Sequence, residues 1–175
     1  NNAIRFGMGA IKGVGENAVK TIVECRKEAR YKSIFDLAKR IDLRAANKKA
    51  FENLALAGGF DEFGETHRAQ YFHSDGDNIT FLEKAMRFGA KFQENENSSQ
   101  VSLFGDASDV QIAEPVVPPC EEWNTLEKLS REKEVVGIYI SGHPLDDYKF
   151  EMKYFCNTKL QALSNLEPLV GKNLS

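Results

Sequence analysis

The stretch Ile11–Val19 reads IKGVGENAV, and with Lys20 behind it sets two glycines, two lysines and an asparagine around one chain reversal. Glycine adopts positive φ and, lacking a Cβ, lets a partner approach the backbone closely. The residues after Gly15 are good helix formers, so a helix N-terminus should follow, with open N–H groups and the positive end of a dipole. Amides of Gly13, Val14 and Gly15 would cradle phosphate oxygens, Lys12 and Lys20 would add charge, and Asn17 would offer a side-chain donor. A nucleic-acid phosphate suits such a place. Contacts of this kind hold the backbone and read no bases, so binding should be independent of sequence and sensitive to salt.

A Gly-apolar-Gly step opening a helix is the pattern of a helix-hairpin-helix DNA-binding motif, and also of a plain turn between packed helices. A rival chemistry uses Asp36. In base-excision glycosylases a similar hairpin is followed by an Asp that stabilises an oxocarbenium-like centre, as carboxylates do in glycoside hydrolysis. The setting Ser33-Ile34-Phe35-Asp36 reads better as a helix first turn, where Asp favours the dipole, and no second group converges with it. No catalytic residue is assigned.

A second binding element is Gln100-Val101-Ser102-Leu103-Phe104. It lies between polar QENENSS (Gln93–Ser99) and an acidic run carrying Pro115, Pro118 and Pro119. A Gln followed by spacers and Leu-Phe on a tether suits the groove of a sliding clamp. There Gln100 would meet backbone groups and Leu103 and Phe104 would fill an apolar cleft. The alternative is that these two side chains fold back onto a helical core.

Composition limits the other classes. Cys25, Cys120 and Cys156 are odd in number and far apart, which gives neither a disulfide framework nor a zinc site and suits a reducing cytoplasm. His67, His73 and His143 form no ligand cluster, so no metal is expected here. There is no apolar run long enough to cross a bilayer. Residues 1–50 carry 12 Lys and Arg against 5 Asp and Glu, whereas residues 51–122 carry 4 against 14. Only the basic front should meet a polyanion.

The periodicity predicts mainly helix. Glu16–Arg30 forms one helix, Ser33 with Asp36 caps another through Arg40, and Asn47 caps a third that stops at Gly58-Gly59. Leu54–Gly64 reads as a second, worn hairpin without a clear Gly-apolar-Gly step. Thr66–Phe72 should be helical, and Asn78 should cap a helix with Phe81, Ala85, Phe88 and Phe92 on its core stripe. After the tether, Leu126, Leu129, Lys133, Val136 and Ile140 keep a three-four spacing, ended by Ser141-Gly142-His143. Pro144 starts a further helix with Leu145, Tyr148, Met152 and Phe155 on its buried side. Thr158–Leu163 adds a turn, and a strand begins at Leu169. The expected domains are a tandem helix-hairpin-helix at 1–92, a flexible linker with the clamp peptide at 93–122, a helical connector at 123–168, and the start of a truncated β-barrel at 169–175. The chain reads as a piece of something larger.

Together, IRFGMGAIKGVGENAV from Ile4, SIFDLAKRIDL from Ser33, NKKAFENLALAGGFDEFG from Asn47, His67-Arg68-Ala69-Gln70, the SLFG from Ser102 and EKEVVGIYISGHPLDDY from Glu132 resemble the bacterial DNA polymerase III alpha family. The resemblance implies a parent enzyme extending primers by Mg-assisted nucleotidyl transfer, with its catalytic acids in a palm upstream of this region. It implies no cofactor in this segment, duplex contacts at Lys12–Gly15, clamp contacts at Gln100–Phe104, other replicase subunits as partners through the parent chain, and an oligonucleotide-binding barrel following Leu169. A purely structural connector remains the alternative.

Overall fold

A computed structural model describes residues 6–64, 66–76, 78–101 and 112–174, with the backbone alone for 97–101. Seven helices order these residues: α1 (Glu16–Glu28), α2 (Ile34–Arg40), α3 (Lys48–Leu56), α4 (Arg68–Phe72), α5 (Phe81–Val101), α6 (Thr125–Val136) and α7 (Lys149–Tyr154). Short 3-10 turns fill several of the connections. Among the described residues there is one isolated antiparallel bridge, Ser74 with Thr80, and no β-strand.

Local signals set most of the helix ends. Ser33 accepts from the Asp36 amide and Asn47 from the Ala50 amide, both at 3.1 Å, so each side chain satisfies a first-turn donor that the helix cannot. The end of α3 is closed by Gly58 at φ +81 and by the Gly59 amide on Leu54 O at 2.8 Å. Thr80 rather than Asn78 caps α5, its hydroxyl accepting from the Glu83 amide at 3.3 Å.

The core is a chain of rings. Phe51 meets Phe60, Phe60 meets Tyr71, Tyr71 meets Phe81, and Phe35 stands edge-on to Phe81 and Phe88 at 5.8 and 5.5 Å. Edge-to-face pairs of this kind stabilise by about 0.5–1.5 kcal/mol beyond area burial. The stripe expected on α5 is therefore core: Phe81, Ala85 and Phe88 are buried, and Phe92 lies beneath the Lys39 ammonium. Helices α2 and α5 cross closely because Gly89 has no side chain. A Cβ there would stand 2.4 Å from Ala38 O.

Several expectations change. Residues from Gln93 were read as linker, yet α5 continues to Val101. Gln93 itself donates to the carbonyls of Ala38, Lys39 and Ile41 at 2.9–3.1 Å, closing the open end of α2. Residues 112–120 lie as a strap on the same body. Ile112 and Val117 touch the core, Glu114 pairs with Lys39 at 3.0 Å, and Gln70 donates to Pro118 O at 2.9 Å. Helix α6 is part of that body too, with Leu129, Glu132 and Val135 buried, while Leu126 and Ile140 are exposed. It stops at Gly137, φ +86, before the Ser141 expected to end it.

The C-terminal part differs most. Leu145, Tyr148, Met152 and Phe155, expected on a buried side, are 39–65% exposed: α7 holds only Met152 of the four and buries none of its own residues. The strand expected from Leu169 is absent: Glu167–Leu169 form a 3-10 turn and Gly171 turns the chain at φ +78. The β-barrel start therefore has no counterpart among the described residues.

Candidate nucleic-acid interface

The hairpin is assembled from both sides. Met8–Ala10 make a single 3-10 turn, then Ile11 and Val14 turn inward at 8% and 5% exposure, beside Ala18 and Ile22 of α1. Between them the backbone of Lys12 is held by two other helices. Its amide donates to Val135 O of α6 at 2.9 Å, and its carbonyl accepts from Asn53 Nδ2 of α3. Gly13 takes φ +74, and a Cβ there would stand 2.8 Å from Asn53 Nδ2. Two physical reasons thus require glycine at this position, the left-handed backbone and the missing space.

Gly15 is the N-cap of α1 in extended conformation, and no side chain caps the helix. Among the described residues a Cβ at Gly15 would meet nothing within 4 Å, which leaves the front of the turn open. Lys12, Gly13, Gly15, Glu16, Asn17 and Lys20 are exposed together at this end. Val14 is different: its side chain is core and its amide donates to Ile11 O at 3.1 Å, which removes it from the surface set. Lys20 pairs with Glu16 at 2.9 Å, but both side chains are largely in solvent, where such a pair contributes about 0–1 kcal/mol and yields readily to another anion.

The second glycine turn is closed. Gly58 has φ +81, and a Cβ there would fall 2.1 Å from Arg68 Nη2. Arg68 is 6% exposed and makes a two-pronged pair with Asp61 at 2.9 and 2.7 Å. Its remaining nitrogen, Nη1, donates to Leu56 O at 3.1 Å and to Glu132 Oε2 at 3.0 Å. Glu132, fully buried on α6, also accepts from the Ile140 amide, from the Ser141 amide at 2.8 Å and from the Ser141 hydroxyl at 2.7 Å. Burial pushes the Glu132 carboxyl up, but the bonds from Ser141, Arg68 and Ile140 outweigh it and hold it below the ordinary carboxylate range. Burial likewise pushes Arg68 down, and its bonds to Asp61 and Glu132 outweigh that, leaving it raised.

Sequence reasoning missed Asn53, Arg68 and Glu132. A signal existed for two of them. Asn53 sits among Ala50, Phe51 and Leu54 on an apolar face, and Glu132 falls between Leu129 and Val135 at helical spacing. A polar residue on a buried stripe must be paired, because an unpaired one is costly.

Of the clamp-peptide residues, Gln100 and Val101 fall in the last turn of α5, while Ser102, Leu103 and Phe104 lie outside the described residues. Asp36 is occupied as a helix-start residue, accepting from the Lys32 amide at 2.9 Å and pairing with Arg40 at 3.4 Å. Among the described residues no three His, Cys, Asp or Glu side chains gather to hold a metal. No described helix is long and apolar enough to cross a membrane.

An open glycine turn that N-caps a helix and is buttressed from behind is the geometry of a helix-hairpin-helix motif, and a family model described as a helix-hairpin-helix motif matches residues 1–71. Similarity extends well beyond that motif. The chain is 42% identical over 150 residues to the DNA polymerase III subunit alpha of Campylobacter jejuni, covering 84% of this chain and 12% of that protein. It is 36% identical over 162 residues to the subunit of Vibrio cholerae (91% and 13%) and 33% identical over 154 residues to that of Escherichia coli (87% and 13%). The chain belongs to the DNA polymerase III alpha-subunit family and spans about an eighth of the length of these relatives.

Proposed function

We propose that this chain is the part of a replicative DNA polymerase that holds duplex DNA by its backbone and docks on the sliding clamp. The observation that carries the first half is the uncapped start of α1 behind Gly13 and Gly15, fixed by α3 and α6 and open to solvent. A fixed set of amides facing water, with Lys12 and Lys20 beside it, suits a phosphate diester and reads no base. Gly13, Gly15, Lys12, Asn17 and Lys20 carry the contact, and Val14 supports it from the core. The parent enzyme extends primers by nucleotidyl transfer. The Mg2+ that such transfer uses would be held by acidic residues in other segments, and this segment supplies no catalytic group. Other replicase subunits are reached through the parent chain, and the protein works in the cytoplasm.

Clamp docking rests on the sequence Gln100–Phe104 and on the family. Its test is recovery of the cognate clamp by the immobilised chain, before and after Leu103→Ala with Phe104→Ala. Equal recovery would remove clamp docking from the proposal. For the DNA half, fluorescence anisotropy with a labelled duplex should show salt-sensitive binding that Lys12→Gln weakens. Binding that ignores both salt and Lys12 would end that reading.

A connector role is favoured for one region, the second glycine turn, because Arg68 and Asp61 fill the space beside Gly58. That turn joins α3, α4 and α6 and does not touch DNA. The glycosylase alternative loses its candidate, since both contacts of the Asp36 carboxylate are those of a helix first turn.

A further inference from the structure

The first turn of α3 carries charge of the unfavourable sign. Lys48 and Lys49 follow the Asn47 cap with no acidic residue in that turn, although the positive end of a helix dipole disfavours cations. Lys48 is compensated by Glu83 of α5 at 2.7 Å, a bond that pushes the lysine up and the glutamate down. Lys49 has Glu52 at 4.0 Å, the outer limit of an ion pair, and its side chain is 69% exposed. Its stem passes beside the hairpin: Lys49 Cγ lies 3.5 Å from where a Gly13 Cβ would stand. One turn further along α3 is Asn53, 1% exposed, with Nδ2 on Lys12 O and a buried Oδ1 that has no partner among the described residues. An unpaired buried amide oxygen is costly, and the Nδ2 bond to Lys12 O is the contact that offsets it by tying α3 to the hairpin.

We propose that Lys49 is a phosphate ligand of the hairpin, supplied by α3, and that Asn53 is the positioning residue that ties α3 to Lys12. Lys12, Lys49 and the first turn of α1 then take one stretch of DNA backbone from two sides. This rests on the reading of the hairpin as a duplex site. The cation at the wrong end of α3 is explained by the same contact, because a phosphate supplies the missing negative charge.

The test is anisotropy of the chain with a fluorescein-labelled duplex on the order of 20 base pairs, titrated at several salt concentrations. Lys49→Gln should weaken binding about threefold or more at low salt and flatten the plot of log affinity against log salt by about 0.9, one phosphate contact. Lys91→Gln, an exposed lysine on α5, should change neither. Asn53→Ala should weaken binding of the folded protein, and adding Lys49→Gln to it should weaken binding by less than the product of the two single effects.

If the wild type binds no duplex, the hairpin reading itself fails. If Lys12→Gln weakens binding while Lys49→Gln behaves like Lys91→Gln, the hairpin stands and Lys49 is removed from it. Weaker binding by Lys49→Gln with an unchanged salt slope also overturns the proposal, since the lost charge then touched no phosphate. Fully multiplicative effects of Asn53→Ala and Lys49→Gln would refute the positioning role.

Discussion

Both glycine turns reverse the chain beside a residue at positive φ, Gly13 in one and Gly58 in the other, but they are finished in opposite ways. At the first, the space a side chain would use is bounded from behind by Asn53, and the front at Gly15 is empty. At the second, that space holds the Arg68 guanidinium, itself clasped by Asp61 and Glu132. One turn leaves its polar groups exposed, and the other uses them inside. The lesson is that a glycine turn is a site only where the protein has not already answered its charges. On the proposed reading, two like turns in one fold divide the work between gripping and joining.

The largest effect should come from opening the closed turn. Removing Glu132 breaks a buried ion pair and takes the acceptor from Arg68 Nη1 and from the Ile140 and Ser141 amides, although Arg68 keeps Asp61; breaking such a pair costs about 3–5 kcal/mol. Glu132→Ala should therefore lower unfolding stability in urea by about that amount, with Glu132→Gln at the lower end. DNA affinity measured on the folded fraction should change little, and a large loss there would merge the two turns into one functional unit. The same carboxylate predicts the acid response. Its folded value lies below the ordinary 4.5, so the unfolded chain binds the extra proton as pH falls. The stabilisation it gives is present above pH 4.5 and lost as pH drops through the folded value, and Glu132→Gln should flatten that part of the stability profile.

A smaller effect would sharpen the contrast from the open side. Gly15→Asp places a capping carboxylate where no atom stands within 4 Å. It should stabilise α1 by about 0.5 kcal/mol, visible in thermal unfolding, while reducing duplex affinity about tenfold by occupying the phosphate position. A gain in both would mean the open end of α1 is not where DNA binds. Smallest is Asp36→Asn, which should cost about 0.5–1 kcal/mol through the helix start and leave duplex affinity unchanged. A change in affinity would bring Asp36 back among the functional residues.

Legibility in the sequence followed the range of the interaction. Helix α1 begins at the expected Glu16, Ser33 and Asn47 cap α2 and α3 as their side chains predict, and Gly58-Gly59 ends α3. Each is decided within about one turn of chain. The exposed glycine turn before α1 was legible for the same reason, apart from the burial of Val14 in the shared core. What was misread depends on such partners. Gln93 looks like linker until the carbonyls of α2 are beside it, and Leu126 looks as buried as Leu129 until α3 selects a face of α6. Leu145, Tyr148, Met152 and Phe155 show an amphipathic spacing with no described element to cover them.

The sequence alone therefore determined where helices start and stop, that one glycine turn opens a helix, and the family to which these motifs point, because those features are written in short-range backbone chemistry. Only the tertiary structure decided which turn is open and which is closed. That outcome rests on Arg68 reaching Glu132 and Asn53 reaching Lys12, contacts 64 and 41 residues apart in the chain. Their energy comes from charges and amides that pair where water is excluded, which offsets the cost of their desolvation, and no local pattern records it.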